Sequence, residues 1–336
     1  MTQPISKQIN TLKDRRSSIS LKLRELLIGQ PSALDAVVDS VMLFESGLAP
    51  EGRPCGIFLL MGPTGTGKTH TVESLAEVLH GSSRAVLRID CGEYQMEHEV
   101  AKLIGAPPGY LGHRETQPAL TQQKLMAVAS EGCDLSLVLF DEIEKAAPSL
   151  VRILLGVLDK GSLRLGDNTQ VAFERTIVFL TSNLGAEAMQ AYIRSVETPL
   201  EADLKAIGDA ALRAKFSPEF INRIDLSVVY SPLTEESFRA ILELQLAELS
   251  RRISSRSVTP FRLNVSEGAK NVLVRVGYSL TYGARELKRT INRLLTRQLA
   301  DLVVSGINPG SEINAFARGD GLCVSLAKER SLKAGQ

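Results

Sequence analysis

Five short runs of apolar and β-branched residues, Gly56 to Met61, Ala85 to Asp90, Leu135 to Phe140, Thr176 to Leu180 and Leu226 to Tyr230, are separated by longer stretches whose apolar positions recur at helical spacing. That alternation predicts a mostly parallel sheet with helices on both faces. Runs as continuously apolar as LSLVLF suit strands covered on both sides, which crossover helices provide. Ahead of the first run, Ile5, Ile9, Leu12, Ile19, Leu23 and Leu26 keep a 4,3 spacing broken at Arg16. This predicts an amphipathic helix or helix pair over about residues 1–25.

After Tyr230 the pattern changes. Ser231-Pro232-Leu233-Thr234 interrupts it, and Thr234-Glu235-Glu236 opens a helix with an N-cap and acids in its first turn. Two helices, about 234–256 and 283–304, flank a short Phe261 to Val265 run, with another strand near Leu322 to Leu326. The expected division is an N-terminal helical segment (1–25), a large α/β domain (26–231), a smaller mainly helical domain with a short sheet (232–327) and a polar tail (328–336).

Composition narrows the class without naming a function. Over 336 residues, 44% hydrophobic and 23% charged positions describe a chain able to bury a sizeable core. Lys plus Arg at 39 against Asp plus Glu at 38 creates no global field for nucleic acid or anionic membrane. Locally, Lys7, Lys13, Arg15, Arg16, Lys22 and Arg24 outnumber Asp14 and Glu25, which leaves partner or polyanion contact open beside a plain solvated face. No apolar run approaches the roughly 20 residues needed to span a bilayer, and residues 1–25 lack a signal-peptide core, so a cytoplasmic protein is expected. The four cysteines and four histidines show no ligand-like spacing, so no structural zinc is expected. Absence of Trp disfavours a base-stacking platform.

The chemistry sits at the end of the first predicted strand. Gly62 to Thr69 reads GPTGTGKT, the P-loop pattern G-x-x-x-x-G-K-[ST], between a strand and a helix. Glycines at 62, 65 and 67 let backbone N–H groups along Pro63, Thr64, Gly65, Thr66 and Gly67 turn toward phosphate oxygens at a helix N-terminus. Lys68 adds a charge toward the β and γ phosphates, and the Thr69 hydroxyl is a magnesium ligand. ATP and Mg²⁺ are the expected ligands. A hydrolase also needs a carboxylate for the metal and a group to activate water. In LVLFDEIEK, Asp141 supplies the first and Glu142 the second. Thr181-Ser182-Asn183 closes the next strand and offers a polar side chain to the same water or phosphate.

Together these motifs resemble the AAA+ superfamily, most nearly the second ATPase module of the Clp unfoldases of the ClpB, ClpA and ClpV kind. The resemblance runs from about Leu26 to Leu326 through IGQPSALDAV (28–37), GPTGTGKT, LIGAPPGYLGH (103–113), LVLFDEIEKA (138–146), LLGVLDKGSLR (154–164), TSNLG (181–185), FSPEFINRID (216–225) and YGARELKRTI (282–291). It implies an ATP-hydrolysing ring, a homo-hexamer, that unfolds, threads or remodels protein. By the same resemblance, Ile28 and Gly29 line the adenine pocket and Asn183 is sensor 1. Arg223 is the arginine finger serving the neighbouring subunit, and Arg285 is sensor 2. Tyr110 and Leu111 form the pore loop that grips substrate, and residues 161–170 fall where the family has a second pore loop.

Bland readings stand beside these. Arg223 could form an intrachain ion pair with Asp225 or Glu219; Arg285 could belong to a basic helix face with Lys288, Arg289, Arg293 and Arg297; Tyr110 could pack into the core. The pore loop continues as HRETQPALTQQ where the family has an acidic, Gly-rich stretch. The length fits one module without a substrate-recognition or middle domain, so a separate adaptor is one expected source of substrate choice. No hydrophobic docking tripeptide appears between Asn183 and Phe216, which disfavours a barrel peptidase partner. A nucleic-acid loader and an ATP-dependent assembly scaffold are the alternatives.

Overall fold

The most continuously apolar run becomes β1 (Gly56–Met61), buried along its whole length. Its residues alternate between two cores: Ile57, Leu59 and Met61 face one, Phe58 and Leu60 the other. The computed structural model describes residues 5–105, 118–279 and 282–327, with side chains from residue 11 onward. It divides into two compact units, residues 1–231 and 232–336.

In the first unit β1 sits within a five-stranded sheet with β2 (Leu87–Asp90), β3 (Ser136–Asp141), β6 (Thr176–Ser182) and β7 (Leu226–Val229), in the order β2-β3-β6-β1-β7. All four pairings are parallel. The five expected strands are present, with ends moved by one or two residues. On the Phe58 side lie α1 (Ile5–Leu26), α2 (Pro31–Glu45) and α3 (Lys68–His80). The other side is covered by α4 (Val100–Ile104), α5 (Gln122–Ala127) and α6 (Pro148–Lys160), with Leu150, Leu154, Val157 and Leu158 of α6 fully buried. A hairpin of β4 (Ser162–Arg164) and β5 (Gln170–Ala172) follows α6, and α7 (Ala186–Ser195), α8 (Glu201–Lys215) and α9 (Pro218–Ile221) lead to β7.

The N-terminal stretch, read from its pattern as a separate segment, is one unbroken helix whose Ile19 and Leu23 enter the sheet's core. Its charged face is zipped to α2 by Arg15–Glu45 (3.0 Å), Arg16–Asp39 (2.5 Å) and Arg24–Asp35 (3.1 Å). Arg16 interrupts the apolar stripe because its partner is an acid on the neighbouring helix. Among the described residues no helix is long and apolar enough to cross a membrane.

The second unit is built on α10 (Glu235–Arg256), whose N-cap Thr234 accepts a hydrogen bond from Ser237 N at 3.2 Å. Phe238, Leu242, Leu246, Leu249 and Ile253 carry its buried stripe. A sheet of β8 (Arg262–Val265), β9 (Glu312–Arg318) and β10 (Gly321–Leu326) packs with α11 (Glu267–Gly277), α12 (Ala284–Ile291) and α13 (Arg297–Val304). Strand β9 lies between a parallel β8 and an antiparallel β10. Helix α11 and strand β9 are additions to the sequence reading, and the helix expected over 283–304 is divided by a π turn at Asn292–Thr296.

Candidate functional site

In a parallel sheet the C-terminal ends of all strands open on one edge, where α/β folds bind ligands. Here β6 lies between β3 and β1. The residue directly after β6, Asn183, therefore stands between the loop after β1 and the acids at the end of β3.

The loop after β1 depends on its glycines at two kinds of position. Gly62 has φ 133°, and a Cβ there would meet Tyr230 O at 2.7 Å. Gly67, at φ 105°, faces open space and turns the chain into α3. Tyr230 closes the underside: its N–H donates to Met61 O at 2.7 Å, and its hydroxyl is 2.7 Å from Thr71 Oγ1. Burial holds the Tyr230 phenol well above its ordinary pKa. Thr66 Oγ1 donates to Pro63 O at 2.9 Å, and Thr64 and Gly65 are half-buried at the crest. Lys68 is 8% exposed, its ammonium donating to Gly62 O (2.7 Å), Pro63 O (2.8 Å) and Asn183 Oδ1 (3.0 Å). Thr69, half-exposed, lies in the first turn of α3.

Across the edge, Asp141 is buried, with Oδ1 accepting from Thr181 Oγ1 and Oδ2 from Arg88 of β2. Successive strand residues point to opposite faces, so Glu142 would turn away from Asp141 if the strand continued. It does not continue: Glu142 is left-handed (φ 57°, ψ 52°), and its N–H donates to Thr181 Oγ1 at 3.0 Å. Glu142 Oε1 accepts from Asn183 Nδ2 at 3.3 Å, and Oε2 lies 2.5 Å from Lys145 Nζ. That bond raises the Lys145 pKa. The orientation of the Asn183 amide is dictated by its partners, because an ammonium only donates and a carboxylate only accepts. Its backbone N–H is held as well, by Glu144 Oε1 at 3.0 Å.

The other expected residues divide by location. Ile28 and Gly29 form the turn between α1 and α2, and that turn adjoins α3: Leu26 O lies 3.3 Å from His70 Nε2. Gln30 Nε2 donates to Ser231 O at 3.1 Å. Arg223 is on the opposite edge of the sheet, beside the start of β1: Asp225 N donates to Ile57 O at 3.0 Å. Five strand residues at about 3.3 Å each separate that level from Gly62, about 16 Å, so Arg223 is not brought to its own chain's phosphate loop. Neither expected acid pairs with it. Asp225 accepts from Ile57 N (2.9 Å) and pairs with Arg53 (2.6 Å), while Arg223 Nε lies 3.2 Å from Asp159 Oδ1. Arg285 is exposed in the first turn of α12 in the second unit. Tyr110 and Leu111 lie outside the described residues. Residues 161–170 belong to the β4–β5 hairpin, where Gly166 N donates to Ile104 O at 2.8 Å.

A family model described as an AAA domain (Cdc48 subfamily) matches residues 53–227, and one for the C-terminal D2-small domain of ClpB protein matches 233–315. The probable chaperone protein ClpB 1 of Chlorobaculum tepidum is 36% identical over 307 residues, 90% of this chain and 68% of the relative. The chain belongs to the ClpB family of AAA+ ATPases. It is similar also to the chaperone protein ClpB of Pseudomonas putida, 39% identical over 94% of this chain and 36% of that protein. The chain spans about a third of the length of the first curated relatives it matches. Among solved structures, a closed-state cryo-EM reconstruction of Hsp104 with ATPγS and FITC casein superposes with TM-score 0.81 at 29% identity, covering 94% of this chain and 52% of that one. The extended conformation of the S. cerevisiae Hsp104:casein complex gives the same score and identity over 92% of this chain and 52% of that one.

Within this ClpB-family site, Arg88, Glu144 and Lys145 are contributors that motif reading missed. Arg88 carries a faint signal, a charged residue in the middle of LRID. Glu144 and Lys145 read as ordinary surface positions of a turn. The donor set suits a magnesium nucleoside triphosphate. The loop faces open space at Gly67, Lys68 provides the charge, and Thr69 and Asp141 are hard oxygen donors, few enough for a metal held partly by phosphates and water.

Proposed function

We propose that the chain binds Mg-ATP in the Gly62–Thr69 loop, hydrolyses it, and works in the cytoplasm as a subunit of a homo-hexameric ring that unfolds, threads or remodels protein, with a separate adaptor contributing to substrate choice. One observation carries the catalytic part: Asn183 takes Lys68 on its amide oxygen and gives its amide hydrogen to Glu142, joining the phosphate-binding lysine to the acid in position to activate water. Ile28 and Gly29 border the base, and loop N–H groups with Lys68 hold the phosphates. Thr69 and Asp141 hold the metal, which neutralises phosphate charge when bound. Glu142 accepts the proton of the attacking water while Asn183 orients that water. Arg223, turned away from its own loop, serves the phosphate of a neighbouring subunit, which makes hydrolysis depend on ring assembly. Arg285 reads the nucleotide from the second unit, and Tyr110 with Leu111 grips the polypeptide.

Two features favour protein over nucleic acid as the substrate. The similar Hsp104 structures hold casein. And three of the six basic residues in 1–25 are paired with acids of α2, so the local positive charge is largely answered within the chain. The deciding experiment measures ATP turnover of the assembled full chain with unfolded casein and with single-stranded DNA over a range of salt. Stimulation by casein alone is expected. Stimulation by DNA with a steep salt slope would replace this reading with the loader type, and no turnover under any condition would favour the scaffold.

A further inference from the structure

We infer that Asp159 is the positioning residue for Arg223; the inference rests on the reading of Arg223 as the residue that acts on a neighbour's phosphate. The backbone around Arg223 is fixed from several sides. Phe220 is fully buried and stacks on Phe216 at 4.9 Å, Arg223 N donates to Phe220 O at 3.2 Å, and Asp225 is bound through both its backbone N–H and its side chain to Ile57. Among the described residues the side chain has no comparable support, and a long, two-fifths-exposed arginine left to itself samples many rotamers. Among the described residues its ion-pair partner is Asp159, whose Oδ1 lies 3.2 Å from Nε.

Asp159 is oddly placed by local rules. It lies in the last turn of α6, where the carbonyl end of the helix repels a carboxylate and favours a cation. Such a departure from local preference is the kind retained where function needs it. The contacts also close on themselves. Asp159 pairs with Arg223, Asp225 pairs with Arg53, and the backbone of Arg53 is so close to Gly161, just past the end of α6, that a Cβ there would meet its Cα and N at 3.0 Å. The end of α6 is thereby held in place relative to the segment that carries Arg223, and the carboxylate is presented from a rigid base.

The test is a kinetic cycle on the assembled full chain with Asp159→Ala, Asp159→Asn, Arg223→Ala and the Asp159→Ala/Arg223→Ala double variant, with assembly checked by sedimentation. An ion pair this exposed changes an equilibrium by up to about fivefold. Asp159→Ala is therefore expected to lower kcat about three- to fivefold with KM for ATP unchanged. Asp159→Asn, which keeps the shape and an oxygen beside Nε but not the charge, is expected to keep more of the rate than Ala, and Asp159→Ala to add nothing once Arg223 is gone. If Arg223→Ala lowers turnover strongly but Asp159→Ala leaves kcat unchanged, raises KM instead, or lowers the residual rate of the Arg223→Ala protein by the same factor, the inference is wrong and the reading of Arg223 stands. If Arg223→Ala turns over normally, both are wrong.

Discussion

Lys68 and Asn183 are 115 positions apart in the chain and 3.0 Å apart in space, the ammonium donating to the amide oxygen. The contact exists because β6 separates β1 from β3, so the turn leaving β6 must bridge the loops leaving its two neighbours. It also makes separate losses expected on its two sides. Removing the lysine in Lys68→Ala takes a buried, hydrogen-bonded charge from the phosphate loop, and nucleotide affinity should fall by at least about 30-fold. Glu142→Gln keeps the shape and is expected to bind nucleotide normally while turnover falls about 10²- to 10⁴-fold. Fluorescent-nucleotide titration and phosphate release separate the two; ordinary turnover in Glu142→Gln would remove Glu142 from the proposed role.

Gly62 and Gly67 both have positive φ, yet only Gly62 is pressed against another strand's end, with Tyr230 O 2.7 Å from where a Cβ would be. Gly62→Ala adds a steric conflict to the backbone strain and is expected to cost at least about 2 kcal/mol. For a unit of this size that lowers its melting transition by roughly 4–8 °C. Gly67→Ala meets strain alone and should cost less. Calorimetry on the two variants checks the order; equal losses would mean that the Tyr230 contact contributes nothing.

Stability against pH should have a plateau with a titrating group at each side. His80, with Nδ1 3.0 Å from Ser130 Oγ, has its pKa lowered by burial, and its Nε2 is buried without a partner among the described residues. The unfolded chain takes up that proton first, so stability is present above the ordinary histidine range and falls as pH drops through it. Cys55 is pushed up to about 11 from 9.0 by burial, and Cys91 and Tyr230 are raised in the same way. The unfolded chain loses those protons first, so the Cys55 contribution is intact below pH 9.0 and disappears as pH rises toward 11, while those of Cys91 and Tyr230 fall in the same direction. Urea midpoints from pH 5 to 11 test both arms, and Cys55→Ala should flatten the alkaline one. Half-exposed Cys323 should react with a thiol reagent before the three buried cysteines do.

Much of this was legible in the sequence, and the misses have physical reasons. The five strands announced themselves because both faces are buried, and Phe58 is as apolar a position as Ile57. Lys68 and Asp141 were legible because phosphate and metal chemistry restricts residue type at set spacing. Helix α11 was readable and overlooked: Ser266 caps it, accepting from Ala269 N at 3.2 Å, and Val272, Leu273 and Val276 keep a helical period. Strand β9 hid because one of its two inward residues is Ala315, too small to mark an alternation. The partner of Arg223 could not be found from the chain, since Asp225 and Glu219 are near in sequence and Asp159 becomes near only when α6 ends beside Arg53.

The bond from Gly166 N to Ile104 O joins the β4–β5 hairpin to the last residue of α4. The hairpin is itself the direct continuation of α6 through Gly161. Helix α6, the hairpin and the end of α4 are thus one connected stretch, with the Asp159 pair at the junction of helix and hairpin. A displacement of α6 therefore draws the hairpin and the end of α4 along with it, and the hairpin can slide past α4 only if this bond breaks.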